Sequence, residues 1–311
     1  MGKFRNGLQY LIQDPKKFLR IFALYVFRLP LVRDIIPDIF VLKLVYFQNT
    51  GKKLNLSNPV TFNDKVQWLK LYDRNPMYTR LVDKYEVRGY ITETIGQQYL
   101  IPLIGVYNRV DDIPFSELPD QYVLKCTHDS GTAIVKNLDC TLTENEIKEK
   151  LRKSLKRNYY YEQREWPYKF VKPRIICEKY MVDESNVELK DYKIHCFYGK
   201  PKLIQVDFGR FTNHHRNLYD TEWNYIHASI LYPNDPDIRI KKPSKLGRML
   251  DLASTLSNSF PYVRVDLYVI KDEIYFGELT FYHGGGYEDF NPEELEIQMG
   301  EWIKLPQKYN C

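Results

Sequence analysis

Residues 263–279 read VRVDLYVIKDEIYFGEL, and this stretch decides how the chain is understood. Val263, Val265, Leu267 and Val269 alternate with Arg264, Asp266 and Tyr268, the period-two pattern of a strand with one buried face. Asp272 stands at a turn, and a second strand returns through Ile274, Phe276 and Glu278. A hairpin that pairs Ile270 with Ile274 sets Tyr268 against Phe276, Asp266 against Glu278 and Arg264 against Thr280. Side chains opposed in this way have Cβ atoms about 4.5–5.5 Å apart. Two carboxylates at that separation repel unless a cation or a shared proton lies between them. A hard cation such as Mg²⁺ resolves the conflict, and Mg²⁺ commonly accompanies phosphates. The same residues also suit a solvated sheet face on which Arg264 neutralises Asp266. The register separates these readings, and a slip of one residue would undo the first.

Two other segments bear chemistry. Residues 124–132, LKCTHDSGT, place Lys125 at the end of a strand and follow it with a small polar loop containing Gly131. Such a loop can present N–H groups and an ammonium to phosphate, and it equally suits an ordinary hairpin with one exposed lysine. Residues 175–181, IICEKYM, form an apolar strand that turns abruptly acidic and then polar. Elsewhere the pattern is helical up to about residue 95, with Asn63 as a candidate cap for a helix carrying Val66, Leu69 and Tyr72. Strands are expected at 121–125, 133–136 and 174–180, with a hairpin joining 192–198 to 202–207. Thr143 with Glu146 reads as a capping box, and Leu246, Met249, Leu250, Ala253 and Leu256 as a helical stripe. Asn291-Pro292-Glu293-Glu294 reads as a helix start with proline at the first helical position. The class is α+β with antiparallel hairpins. Neither a G-x-G-x-x-G nor a G-x-x-x-x-G-K-[ST] motif occurs, so dinucleotide-binding and P-loop folds lose support.

Composition narrows the partners. The 311 residues carry 44% hydrophobic and 27% charged side chains, which suits a folded chain and argues against disorder. The net charge of +5 is too small and too dispersed to require nucleic acid. The 26 tyrosines suit a cleft that grips a polar ligand. The five cysteines form no C-x-x-C pair, so reduced thiols in the cytoplasm are expected rather than a disulfide framework or a zinc site. The apolar run 21–27 is closed by Arg20 and Arg28 and is far too short to span a bilayer. Residues 1–35 interleave Lys16, Lys17, Arg20, Arg28 and Arg33 with Phe18, Leu19, Phe22, Tyr25 and Phe27. That basic amphipathic segment suits either an anionic membrane surface or packing on the protein body. Residues 148–174 mix ten cations with Tyr159, Tyr160, Tyr161 and Trp166, suiting a polyanionic glycan or a solvated helix face.

The order of these features resembles the ATP-grasp superfamily. The segments NPVTFNDKVQWLKLYDRNP, VDKYEVRGYI, VLKCTHDSGTAIVKN, DYKIHCFYGKP and VRVDLYVIKDEIYFGELTFYHGGGY resemble the TupA-like ATP-grasp family, named for teichuronopeptide biosynthesis, over roughly residues 35–305. The resemblance implies two α+β subdomains clasping ATP behind a helical amino-terminal region. The implied division is a basic segment 1–35, a helical and mixed region 36–120, a subdomain 121–185 with hinge and glycine loop, and a subdomain 186–311 with the metal site.

The resemblance also implies roles. Lys84 and Lys125 would contact the ATP phosphates, and His128, Ser130 and Gly131 would form the loop closing over them. Glu178, Lys179 and Tyr180 would form the adenine hinge, and Asp191 and Lys193 a polar pair near the ribose and phosphates. Arg210 and Arg216 would meet the transferred phosphate and the substrate. Asp266, Glu278 and Thr280 would hold Mg²⁺ or Mn²⁺, with Thr280 standing where the family usually has Asn. His283-Gly284-Gly285-Gly286 would let backbone approach the substrate closely. The implied activity is an ATP-dependent carboxylate–amine ligase working through an acylphosphate, joining an amino compound to a carboxylate of a bacterial surface glycan or its precursor. Many members of the family carry a glycosyltransferase label, so a metal-dependent glycosyltransferase is the second reading. Either enzyme would work in the cytoplasm, peripheral to the inner membrane face if residues 1–35 bind lipid.

Overall fold

The computed structural model describes residues 22–23, 25–27, 29–183, 189–209 and 213–308. Most of the basic segment 1–35 and all of Arg210 fall outside these residues. Helices α1 (Asp38–Thr50), α2 (Phe62–Tyr72), α3 (Met77–Val82) and α4 (Val87–Thr94) precede the first strand, as the sequence predicts. α2 is capped by Thr61, whose hydroxyl accepts the Asp64 N–H at 3.2 Å. The expected cap, Asn63, instead lies inside the first turn and donates its side-chain amide to the Glu288 carbonyl at 2.9 Å. That bond ties α2 to the far end of the chain. Phe62, Val66 and Leu69 of α2 join the main core, and Gln67 and Lys70 are buried with them.

Strands β1 (Leu103–Tyr107), β2 (Tyr122–Cys126), β3 (Ile134–Lys136) and β4 (Ile175–Lys179) form an antiparallel sheet in the order β1-β4-β2-β3. Helix α5 (Glu144–Leu155) packs Ile147 and Leu151 with Leu124, Cys126 and Ile175 in the core beneath it. The Thr143–Glu146 capping box opens α5 as predicted.

The second sheet is larger. β5 (Asp191–Phe197), β6 (Lys200–Phe208), β7 (His215–Tyr219) and β8 (Tyr225–Ile226) are followed by the short β9 (Ser229–Ile230), then by β10 (Val263–Ile270) and β11 (Glu273–Thr280). The order is β11-β10-β5-β6-β7-β8, and β9 pairs separately with β12 (Phe290–Asn291). Helix α6 (Leu246–Ser257) lays Met249, Leu252, Ala253 and Leu256 into the core with this sheet, while Leu250 of the predicted stripe is only partly buried. Helix α7 (Glu293–Trp302) begins one residue later than expected. Asn291 is spent pairing with Ser229, so Pro292 takes the cap position.

The β10–β11 hairpin departs from the expected register near its turn and agrees with it at the far end. The turn holds two residues, Lys271 and Asp272, with φ of 49° and 64°. Ile270 therefore pairs with Glu273, Val269 with Ile274, Tyr268 with Tyr275 and Leu267 with Phe276. A bulge then intervenes, after which Asp266 opposes Glu278 and Arg264 opposes Thr280. Gly277 is the extra residue, and a Cβ there would stand 3.0 Å from the Asp266 carbonyl oxygen. The bulge compensates for the tighter turn and brings the two carboxylates face to face.

Candidate active site

A cavity of about 340 Å³ lies between the two sheets. Its first wall comes from β2, β4, α4 and the loop after β2. Lys125 of β2 and Glu178 of β4 stand on neighbouring strands, and Nζ meets Oε2 at 2.8 Å. Arg88 of α4 reaches the other oxygen at 3.1 Å and donates to the Ile101 carbonyl at 3.0 Å. Glu178 is thus bracketed by two cations. Lys84 is tied to the loop twice, through its backbone N–H to the Thr127 carbonyl at 3.1 Å and through Nζ to the Asp129 carbonyl. Burial lowers the Lys84 pKa, against the pull of Asp129 and Glu278. Asp129 anchors the loop: it is 1% exposed and accepts from the hydroxyls of Thr132 and Ser154. Ser130 and Gly131 then line the cavity, with Gly131 at φ +76°.

The second wall is the face of β5, β10 and β11. Register places Glu278, Asp266 and Lys193 in one row across three strands. Arg264 grips Asp266 with two bonds, Nε to Oδ1 at 2.7 Å and Nη2 to Oδ2 at 2.6 Å, and Nη2 also reaches Glu278 Oε1 at 3.0 Å. Thr280 donates its hydroxyl to the same Glu278 oxygen at 2.9 Å. Lys193 pairs with Asp207 of β6 and lies 3.6 Å from Asp191. Burial pushes the Asp266 carboxyl above the ordinary range; Arg264 opposes this and Glu278 adds to it. A model of the TupA-like ATPgrasp family matches residues 64–304. The chain belongs to that family.

No curated protein sequence matches. Among solved structures, this TupA-like ATPgrasp protein is similar to D-alanine–D-alanine ligase from Helicobacter pylori at 12% identity and a TM-score of 0.42, covering 81% of this chain and 69% of that one. It is similar to the same enzyme from Bacillus anthracis at 16% identity and a TM-score of 0.38, covering 66% and 59%. It is also similar to L-amino acid ligase from Bacillus licheniformis at 15% identity and a TM-score of 0.40, covering 68% and 44%. The chain therefore spans about three-fifths of the Bacillus anthracis enzyme's length.

Several residues predicted from sequence meet in this TupA-like cleft. Lys84, Lys125, Ser130, Gly131, Glu178, Asp191, Lys193, Asp266 and Glu278 all line one cavity. Others do not. His128 is 2% exposed and its Nε2 lies 3.2 Å from the carbonyls of both Ser154 and Arg157, so the end of α5 draws the ring away from the loop's cavity side. Lys179 and Tyr180 do not line the cavity, and the Lys179 N–H is spent on the Pro102 carbonyl at 3.0 Å. Arg216 is 5% exposed and held by Asp207 at 2.8 Å, Glu288 at 3.1 Å and the Ile230 carbonyl at 2.9 Å. These bonds hold it inside a buried network and away from the cavity. Arg88 is not singled out by the sequence, and Asp129 and Arg264, read there as a loop residue and a neutralising partner of Asp266, carry no site role in it. Arg264 was already visible in the hairpin register, whereas Arg88 and Glu178 are 90 residues apart and no local pattern joins them.

The family implies a divalent cation. Among the described residues, no three His, Cys, Asp or Glu side chains gather into a cage. Mg²⁺ does not need one, because it is commonly held by one or two carboxylates together with waters and phosphate oxygens. Asp266 and Glu278 meet that description. They are opposed across the hairpin, both line the cavity, and Glu278 is half exposed to it. Their crowding is the kind a cation relieves, so the donor set fits, with Thr280 orienting one Glu278 oxygen.

Proposed function

We propose that this protein is an ATP-dependent carboxylate–amine ligase that activates a carboxylate as an acylphosphate and joins it to an amine. The observation that carries the reading is the two-walled cleft. Lys84, Lys125 and the Ser130–Gly131 loop form one wall, and the Asp266–Glu278 pair with Arg264 forms the other. In the first step a carboxylate oxygen attacks the γ-phosphorus of ATP and ADP leaves. In the second the amine attacks the acyl carbon and phosphate leaves. Lys84, Lys125 and Arg264 would offset charge on the transferring phosphoryl group. The loop anchored by Asp129 would cover the site and keep water from the acylphosphate. Asp266 and Glu278 would hold Mg²⁺, which when bound supplies further charge neutralisation at the phosphates.

The carboxylate is assigned to a surface glycan or its precursor, on the strength of the family resemblance. For residues 1–35 we propose contact with the inner membrane face. Leu31 and Ile35 are 85% and 81% exposed, which favours an apolar partner there. No helix among the described residues is long and apolar enough to cross a membrane.

Calorimetry with Mg²⁺ tests the ligase reading by titrating ATP against a panel of nucleotide sugars. ATP binding that disappears in Lys125→Ala is expected. Binding of a UDP- or GDP-sugar with no response to ATP would make the protein a glycosyltransferase. Flotation on anionic liposomes, with and without residues 1–35, tests the membrane contact, which fails if both forms behave alike.

A further inference from the structure

One bond of Arg264 settles where a proton sits. Nη1 lies 2.7 Å from His283 Nδ1. A guanidinium only donates, so Nδ1 carries its lone pair and the neutral ring keeps its proton on Nε2. That Nε2 lies 2.8 Å from Glu288 Oε2. Glu288 is in turn held by Arg216 at 3.1 Å, and Arg216 by Asp207 at 2.8 Å, the carboxylate that also takes Lys193. His283 is 1% exposed, and burial favours its neutral form. Unbroken contacts therefore run from β6 and β7 to the guanidinium that spans Asp266 and Glu278. Gly284, at φ +55°, lets Glu288 approach: a Cβ there would stand 2.2 Å from the Glu288 Cγ. The His283-Gly284 pair thus has a joint purpose that neither residue type announces alone.

We infer that His283 is a positioning residue. As the neutral Nε2–H tautomer, set by the Arg264 donor, it accepts from Arg264 and fixes the guanidinium in the cleft. Without that acceptor, Nη1 is left buried and unpaired, and only the bonds to Asp266 and Glu278 hold the guanidinium, from one edge. Arg264 then no longer presents one fixed orientation to the phosphoryl group. This consequence rests on the ligase reading, whereas the tautomer and the Arg264 contact do not.

Two measurements on the full chain test the inference. The first is ¹⁵N NMR of the histidine rings at neutral pH, with the His283 signals assigned by their loss in His283→Asn. The neutral Nε2–H tautomer is expected, and an Nδ1–H tautomer or an imidazolium overturns the inference. The second compares ADP release in His283→Leu and His283→Asn, since the Asn Oδ1 restores an acceptor where Nδ1 stood. In His283→Leu kcat is expected to fall by about 10–100-fold, as for outer partners of a site. KM for ATP should move by less than about threefold, and His283→Asn should recover most of the loss. A folded His283→Leu with unchanged kcat, or equal losses in both variants, overturns the inference. If the wild type releases no ADP with any acceptor, or His283→Leu does not fold, the tautomer alone decides. The first of those outcomes also removes the ligase reading.

Discussion

Arg264→Met isolates what the guanidinium contributes. The substitution keeps an apolar stem and removes the three bonds to Asp266 and Glu278, at 2.7, 2.6 and 3.0 Å. Asp266 is 3% exposed, so it cannot recover those bonds from water. Its way out is to take up a proton. Holding a carboxyl of ordinary pKa near 4 neutral at pH 7 costs about 4 kcal/mol, roughly three units at about 1.4 kcal/mol each. That figure caps the loss and matches the roughly 3–5 kcal/mol seen when one partner of a buried ion pair is removed. The sign follows from proton counting. With its pKa raised in the folded state, Asp266 holds a proton there that the unfolded chain releases above about pH 4. The stability of the variant therefore keeps falling by about 1.4 kcal/mol per unit as pH rises above 4. In the wild type the Asp266 carboxyl is itself raised, to about 7, so its profile falls alongside and flattens only above pH 7, where Arg264 lets the carboxyl ionise. Urea unfolding in EDTA at pH 6, 7, 8 and 9 reads the difference. Profiles that stay parallel above pH 7, or a loss below about 1 kcal/mol at pH 9, would refute the reasoning.

Asp266→Asn should abolish ADP release in a chain that still folds, at a lowered urea midpoint because Arg264 loses its charged partner; retained turnover would remove the metal assignment. Replacing Mg²⁺ by EDTA should weaken ATP binding by at least about tenfold in calorimetry, and an unchanged affinity would show that the carboxylate pair serves no cation. Ile194 in the centre of β5 has no exposed surface, so Ile194→Ala should cost about 2–5 kcal/mol in urea unfolding. A loss under about 1 kcal/mol would mean that the sheet core repacks around the gap.

The β10–β11 hairpin shows what alternation can and cannot reveal. It places Arg264, Asp266 and Tyr268 on one face and correctly opposes Asp266 to Glu278. It misses both the two-residue turn and the bulge at Gly277, because each shifts the pairing by one residue and the shifts cancel. A glycine inside a strand next to a functional acid was the available signal. Residue type misled where burial decided the outcome. His128 follows the predicted Lys125 closely in sequence, yet the carbonyls of Ser154 and Arg157 capture its ring. Arg216 has the charge for a phosphate, yet Asp207 and Glu288 take it first. Partner identity across strands and helices settles such cases, and a linear pattern holds little of it.

The charges around the cavity explain why the carboxylate pair and the cations belong to one site. Five lining side chains are cationic, Lys84, Arg88, Lys125, Lys193 and Arg264, against four carboxylates, Glu178, Asp191, Asp266 and Glu278. The cations are not idle: Lys125 and Arg88 bracket Glu178, Lys193 holds Asp207, and Arg264 spans the hairpin acids. One net positive charge is too little for a triphosphate taken out of water, since desolvated anions require close compensation. A divalent cation held by Asp266 and Glu278 would supply the missing charge and would relieve Arg264 of neutralising Glu278. The Nη2–H now spent on Glu278 would then be available to the phosphates, while the bonds to Asp266 and His283 keep the group in place. The hairpin register, the buried imidazole and the cation requirement are thus linked through one side chain.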